Sequence, residues 1–505
     1  MDPIAAINGV INDVDTFVWG IPLIVILVVT HLWTTIRTGF IQRKLPTAIK
    51  LSVTKDPDSQ GDVSQFGALM TALSATIGTG NIVGVATGIV SGGPGAVFWM
   101  WIIGFFGIAT KYSETYMSVR YRVKDHKGTM LGGAMYAWRR HFTRDANGRR
   151  GSVTGKTPWW AMLGAGAFAL LAGIASFGIG AAVQSSACAS IIASNIPVLN
   201  TILGPNTFLG DTSGTLFIGI LIVILTALVL IGGIKAIAKV CEVMVPFMAI
   251  FYVVGCIVVI CFNWAFFIPA IQTIVVAAFN PHAVMGGGLG FTIGLALQFG
   301  AKRGLFSNES GLGSAPLVAA SATTRNPARQ ALVSMTGTFW DTVVICAITG
   351  ITLVSTMLNP NNAALLNNYI GGAYVSSGQA LTTAAFQTIP WHIGTIVLVV
   401  GMAVFAFSTV LGWAYYGNRC VSYLFGKRAV IPYYVLYVVV AFIGAIGIGQ
   451  MVWNISDITN ALMAIPNVIC VWLLGGLIWR GTKHYVYEGN LNEKFAEEIP
   501  TVATK

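Results

Sequence analysis

The stretch "LSATIGTGNIVGVATG", residues 73–88, decides how this 505-residue chain reads. It lies in a segment otherwise long and apolar enough to cross a membrane. Yet it gathers Gly78, Gly80, Gly84 and Gly88 with Thr76, Thr79 and Asn81. Glycine is a poor helix former, and an amide at membrane depth must find a partner or a task. With Ser64 opening the segment, Gly78 falls about 20 Å along an ideal helix, near the middle of a ~30 Å hydrocarbon core. Close helix packing accounts for a small-residue ridge at Gly80, Gly84 and Gly88. It leaves the polar cluster around Gly78 unexplained, and that cluster supplies what an unwound backbone needs.

The rest of the chain agrees with a membrane setting. Hydrophobic residues make up 55% and charged residues only 9%, against roughly a quarter charged in soluble domains. Mean hydropathy is +0.74. Apolar runs of spanning length fall near 17–37, 64–90, 95–120, 159–193, 212–232, 237–263, 288–320, 328–357, 393–424, 431–449 and 455–480. The expected fold is therefore an all-α polytopic membrane protein with eleven transmembrane helices.

Basic residues set the orientation. The segments 1–16, 91–94, 194–211, 264–287, 358–392 and 450–454 hold no Lys or Arg, whereas the alternate segments are rich in them. The positive-inside rule makes the basic side cytoplasmic, with the N-terminus outside and the C-terminus inside. The expected division is an external 1–16, an extra helix 17–37 and a cytoplasmic basic linker 38–63. A first five-helix group, 64–263, follows and carries the basic loop 121–157. Then come an external loop 264–287, a second group 288–480 and a cytoplasmic tail 481–505. The net charge of +11 is thus a topology signal, and no nucleic-acid partner is expected. From the acidic start "MDPIAAINGVINDVD", which lacks a basic n-region, no cleaved signal peptide is expected. The seven cysteines have no metal-ligand spacing. "MLGGAMYAWRRHF" is too short and too amphipathic to span, and is expected along the inner surface.

The seventh span is interrupted as well. "GGGLGFTIGLALQFGA" is too short to cross and runs straight into "KRGLFSNESGLGSAP". Lys302, Arg303, Asn308 and Glu309 must face protein or a water-filled path there, unless the segment is a re-entrant loop. Setting the first span aside, the two interrupted spans open two groups of five, and an odd count gives the groups inverted topology. Broken helices in matching positions of inverted halves mark a transporter's central site. The outer half of the second span begins near Gly80–Asn81, and its N-terminus favours an anion such as a carboxylate. The carbonyls between Ser74 and Ile77 suit a small hard cation. Both ends together suit a zwitterion travelling with a cation.

"SATIGTGNIVGVATGI", "SGGPGAVFWMW", "KYSE", "GAKRGLFSNESGLGSAP", "FWDT" and "FAFSTVLGWAYYG" resemble the alanine or glycine:cation symporters. The likeness runs from about residue 15 to 480. "GGAMYA" departs from the family, which has a proline and two tyrosines where Ala134 and Ala137 stand. The resemblance implies the inverted five-plus-five fold of the bacterial leucine transporter with one extra N-terminal helix. It implies that the amides of Thr79 and Gly80 and the side chain of Asn81 surround the substrate carboxylate and its companion ion. Ser408 and Thr409, in the ninth span, could simply bond back to their own helix. By the resemblance they match the fold's shared sodium site, facing the carbonyls of Ser74 and Ile77.

Other polar or bulky residues in the spans are candidates. Gln184 lines the pocket or cross-links helices. Phe299 and Gly300, at the expected break of the seventh span, cap the substrate or belong to the core. Trp413 walls the pocket or anchors its helix. Asp341 is a second cation or proton site, with Asn81, or salt-bridges Arg303. Lys111 and Glu114 form a local pair. The function expected is sodium-coupled import of a small neutral amino acid, alanine or glycine, across the inner membrane of a prokaryote. A proton-coupled carrier or exchanger is the alternative. No nucleophile, metal or nucleotide motif points to an enzyme, no repeated filter points to a channel, and no cofactor is expected beyond Na⁺ as coupling ion.

Overall fold

The computed structural model describes residues 3–56, 59–148, 150–202, 213–280, 292–374, 377–447 and 450–502. Their regular structure is helical, apart from a short hairpin pairing Val123–Lys124 with Met130–Leu131. Among them nine helices are long and apolar enough to cross a membrane, from Ile7–Arg37 to Trp453–Tyr487. The pair Gln65–Thr76 and Gly80–Gly92, bent by 53°, makes a tenth candidate. The seventh span is seen from Ile293 onward. Its glycine-rich beginning lies outside the described residues, as does the stretch 203–211 of the expected external loop 194–211.

The packing inverts the pattern of a soluble protein. Helix Ser213–Ile231 exposes Phe217, Ile220, Leu221, Ile224 and Leu228, a face suited to lipid chains. Inward faces carry small residues instead: helix Trp159–Ala175 buries Ala161, Ala165, Ala169 and Ala172. Lipid tails are as apolar as leucine, so close backbone approach is what holds such helices together.

Several segments expected as connections have structure of their own. The stretch assigned to an external N-terminus contains helix Pro3–Val18, whose Asp15 accepts a hydrogen bond from Lys302 at 3.0 Å. Lys302 also lies 3.4 Å from Asp457. Helix Phe267–Phe279 lies in the expected external loop 264–287, with Trp99 Nε1 donating to Ala278 O at 3.3 Å. Helices Ala363–Ile370 and Gly378–Gln387 cover the end of Val85–Gly92, where Tyr369 donates to Ile89 O at 2.9 Å. "MLGGAMYAWRRHF" forms a strand and helix Ala134–Phe142, with Ala134 through Trp138 buried. Trp138 Nε1 donates to Pro466 O at 2.9 Å, so this segment is wedged into the bundle and not laid along its surface.

The basic end is tied across the bundle. Arg419 lies 3.6 Å from Asp62, Ser64 Oγ donates to Glu242 Oε1 at 2.9 Å, and Lys427 pairs with Asp125. Burial raises the Asp125 carboxyl, but Lys427 and the Thr129 and Lys127 amides more than reverse it and hold the group below its ordinary range. A depressed carboxyl contributes its full stabilisation above the unfolded value and loses it as pH falls through the folded one.

Candidate functional site

The first broken helix stops where the sequence turns polar. Ile77 leaves helix Gln65–Thr76 in an extended conformation, ψ 95°. In an unbroken helix the Gly78 amide would donate to Ser74 O; here it donates to Asn81 Oδ1 at 2.9 Å. The chain resumes as a wide π turn, Gly80–Gly84, before helix Val85–Gly92. Such turns recur at functional sites. Two more π segments sit beside this one, Ser176–Val183 just before Gln184 and Phe339–Cys346 around Asp341.

Asn81 is held at both ends. Its Oδ1 serves Gly78, while its Nδ2 donates to Asp341 Oδ1 at 2.8 Å and to Cys346 Sγ at 3.3 Å. Asp341 also accepts from Ser307 Oγ at 2.9 Å and Thr342 Oγ1 at 2.7 Å. It makes no salt bridge to Arg303, whose guanidinium lies 6.0 Å from the centre of the Phe306 ring. Gln184 Oε1 accepts from the Thr79 amide at 3.1 Å. An amide oxygen on a broken-helix N–H occupies the kind of position a carboxylate oxygen would take.

On the other side of the break two pairs of oxygens face each other. Ser408 Oγ lies 3.4 Å from Ser74 O, and Thr409 Oγ1 lies 3.2 Å from Ile77 O. Both hydroxyls also approach Phe405 O more closely, at 2.8 and 2.9 Å. The back-bond and the cross-helix contact are thus both present, and two protons must serve three carbonyls. With the protons on the shorter contacts, hydroxyl lone pairs face the Ser74 and Ile77 carbonyls. Oxygens that face one another without a proton repel, and a hard cation between them removes the repulsion.

The second broken helix differs from the expectation. Helix Ile293–Asn308 runs straight through Phe299 and Gly300, and the break comes at Glu309, φ +56°. Phe299 and Gly300 lie against the far end of the first broken helix and the start of Gly95–Arg120. A Cβ built on Gly92 meets Phe299 Cβ at 3.1 Å, and one on Gly300 meets Ala96 O at 2.5 Å. Phe306 and Ser307, about two turns on, face the break instead: a Cβ on Gly80 meets Phe306 Cδ1 at 3.3 Å and Ser307 Cα at 3.4 Å. Sequence reasoning missed this pair because it marked the end of the apolar run as the break. The polar triplet Ser307–Glu309 was the available signal.

Trp413 lies one turn beyond Thr409 and is wholly buried. It packs against Gly180, one turn before Gln184, where a Cβ would meet Trp413 Cβ at 2.2 Å. Its indole N–H has no partner among the described residues. Ser74, Thr79, Asn81, Gln184, Ser408 and Thr409 are each at most 3% exposed, so the site is closed from both ends.

Residues 4–498 match the model of the sodium:alanine symporter family. The chain belongs to that family. The sodium/alanine symporter AgcS of Methanococcus maripaludis is 44% identical over 94% of this chain and 97% of its own. The amino-acid carrier protein AlsT of Bacillus subtilis is 31% identical over 95% of this chain and 92% of its own. In fold the chain is similar to MhsT, solved in complex with L-phenylalanine. The TM-score is 0.55 at 16% identity, covering 82% of this chain and 89% of that one. Membership makes the protein a multi-pass membrane carrier and not an enzyme, a sodium-coupled amino-acid symporter.

Proposed function

We propose that the protein imports a small neutral amino acid, alanine or glycine, with sodium by alternating access. In this reading the ten spans after the first form two five-helix repeats of inverted topology, the first span being extra. The chain sits in the inner membrane of a prokaryote. Sodium rests among Ser74 O, Ile77 O, Ser408 Oγ and Thr409 Oγ1, and those four facing oxygens are the observation that carries the proposal. The substrate carboxylate takes the Thr79 and Gly80 amides, displacing Gln184 Oε1, with Asn81 as their support. Trp413 and Gln184 wall the α-carbon. Phe306 replaces Phe299 and Gly300 as the aromatic cap, because it is the ring beside Gly80. Asn81 and Asp341 form a second cation or proton site. A closed central site favours this cycle, since substrate reaches it from either end only if one end opens.

Uptake of labelled alanine and glycine into proteoliposomes tests the proposal. Uptake should require an inward sodium gradient and collapse when that gradient is removed; uptake that follows a proton gradient alone overturns sodium coupling. Replacing Trp413→Leu should let valine and leucine compete with alanine, because an aromatic wall excludes branched side chains by clash. Leucine keeps much of the apolar volume, which limits the cavity penalty. Equal exclusion by wild type and variant would remove Trp413 from the wall.

Orientation has its own check. In a Cys-less background, Ile370→Cys should react with an impermeant thiol reagent added outside, and His126→Cys should not. Both positions are exposed. The opposite pattern inverts the topology.

A further inference from the structure

The second broken helix carries a carboxylate that the site above does not use. Glu309 ends helix Ile293–Asn308 in the left-handed region, φ +56°, where an L side chain is uncommon. It is only 2% exposed. Its hydrogen-bond partner is the Ser314 hydroxyl of the same loop. Among the described residues no basic group lies within ion-pair distance of it.

Its surroundings are short of positive charge. Helix Gly95–Arg120 brings Lys111 and Glu114, which pair with each other at 3.3 Å. Helix Ile21–Arg37 brings His31, whose Nδ1 is bonded to Thr110 Oγ1 at 2.8 Å and whose Nε2 is buried without a partner among the described residues. Phe339–Cys346 brings Asp341. Helix Gln450–Thr482 brings neutral Asn467, which donates to Glu114 Oε2 and to Gly311 O, both at 2.9 Å. Three carboxylates therefore share one ammonium. Lys111 compensates Glu114, and three neutral donors hold Asp341. Glu309 has one hydroxyl. An isolated carboxylate costs several kcal/mol in a dry interior, and the ordinary outcome is that it takes up a proton.

A second observation points the same way. Helix Ile393–Phe425 brings Tyr416, fully buried, whose hydroxyl has no hydrogen-bond partner among the described residues. A buried hydroxyl left unpartnered marks a position whose hydrogen bonding is completed in another protonation state or conformation.

We propose that Glu309 is a proton-binding site: it carries a proton while the site is closed and releases it when the loop 309–315 opens to water. Protonation then stabilises the closed state, because closure without the proton buries an uncompensated charge. The part played in the cycle rests on the carrier reading, whereas the protonation itself does not. Two readouts separate them. Infrared spectra of the purified wild type should contain the carbonyl stretch of a protonated carboxylic acid that is lost on raising the pH from about 5.5 to about 9. That band should be missing in Glu309→Gln, and Ser314→Ala should move the pH at which it disappears. In proteoliposomes under a fixed sodium gradient, wild-type uptake should vary severalfold across this range, and Glu309→Gln, a permanent mimic of the protonated form, should be flat. If Glu309→Gln does not insert, the Ser314→Ala shift decides. A band that survives in Glu309→Gln or ignores Ser314→Ala, or a variant whose uptake keeps the wild-type pH slope, overturns the proposal.

Discussion

Gly78→Ala should cut sodium-driven uptake by up to about a hundredfold, while Gly84→Ala leaves it nearly unchanged. A Cβ on Gly78 would stand 2.4 Å from Thr409 Oγ1 and 3.0 Å from Gln184 Oε1. Relief requires Thr409 to rotate away from Ile77 O or helix Ile393–Phe425 to retreat, and either movement separates the facing oxygens. Overpacking of this kind costs about 1–3 kcal/mol, and its upper end corresponds to roughly a hundredfold loss in rate. On Gly84 the same methyl meets only Thr79 O, at 3.9 Å. Initial uptake rates in proteoliposomes, normalised to inserted protein, compare the two. Comparable rates would mean that Gly78 is present for backbone freedom and not for the close approach of Thr409.

Ser408→Ala with Thr409→Val should raise the sodium concentration for half-maximal uptake by about a hundredfold. The estimate assigns roughly 1.4 kcal/mol to each lost hydroxyl ligand, a factor of ten apiece. The volume change is small, and both helix-breaking carbonyls remain. Alanine binding measured at saturating sodium should recover toward the wild-type value, which separates a lost ion ligand from a damaged pocket. If the sodium dependence is unchanged, the two hydroxyls only bond back to Phe405 O.

The composition of residues 73–88 was enough to locate the first break. Gly78 and Gly80 weaken the helix locally, and Asn81 is the nearest side chain able to take up a freed amide, as it does for Gly78. Ser408 and Thr409 stood out as adjacent hydroxyls at the centre of an apolar span, but from the residues alone a back-bond to their own helix was as good a reading, and the resemblance supplied the sodium-site role. The pair of Lys111 and Glu114 followed from helical spacing alone.

Phe299 and Gly300 could not be corrected from the chain itself. The break of the seventh span falls after Asn308 because the loop is held from outside: Glu114 Oε2 accepts from the Gly311 amide at 3.2 Å, and Asn467 donates to Gly311 O. Those partners lie 197 and 156 residues away. Asp341 likewise looked equally ready for Arg303 or for an ion, and only packing gave it Asn81, Ser307 and Thr342. Gln184 acquired its bond to Thr79 in the same way.

By itself the sequence determined that this is a polytopic membrane protein and where one helix unwinds. Each of these follows from local composition, whose energy is settled within a few residues by backbone propensity and transfer from water. The tertiary structure alone decided which oxygens face one another, where the second helix breaks and which buried carboxylates lack a cation. Those outcomes depend on contacts between residues far apart in the chain, and the cost of an unpaired buried group is set by whatever neighbours the fold brings to it.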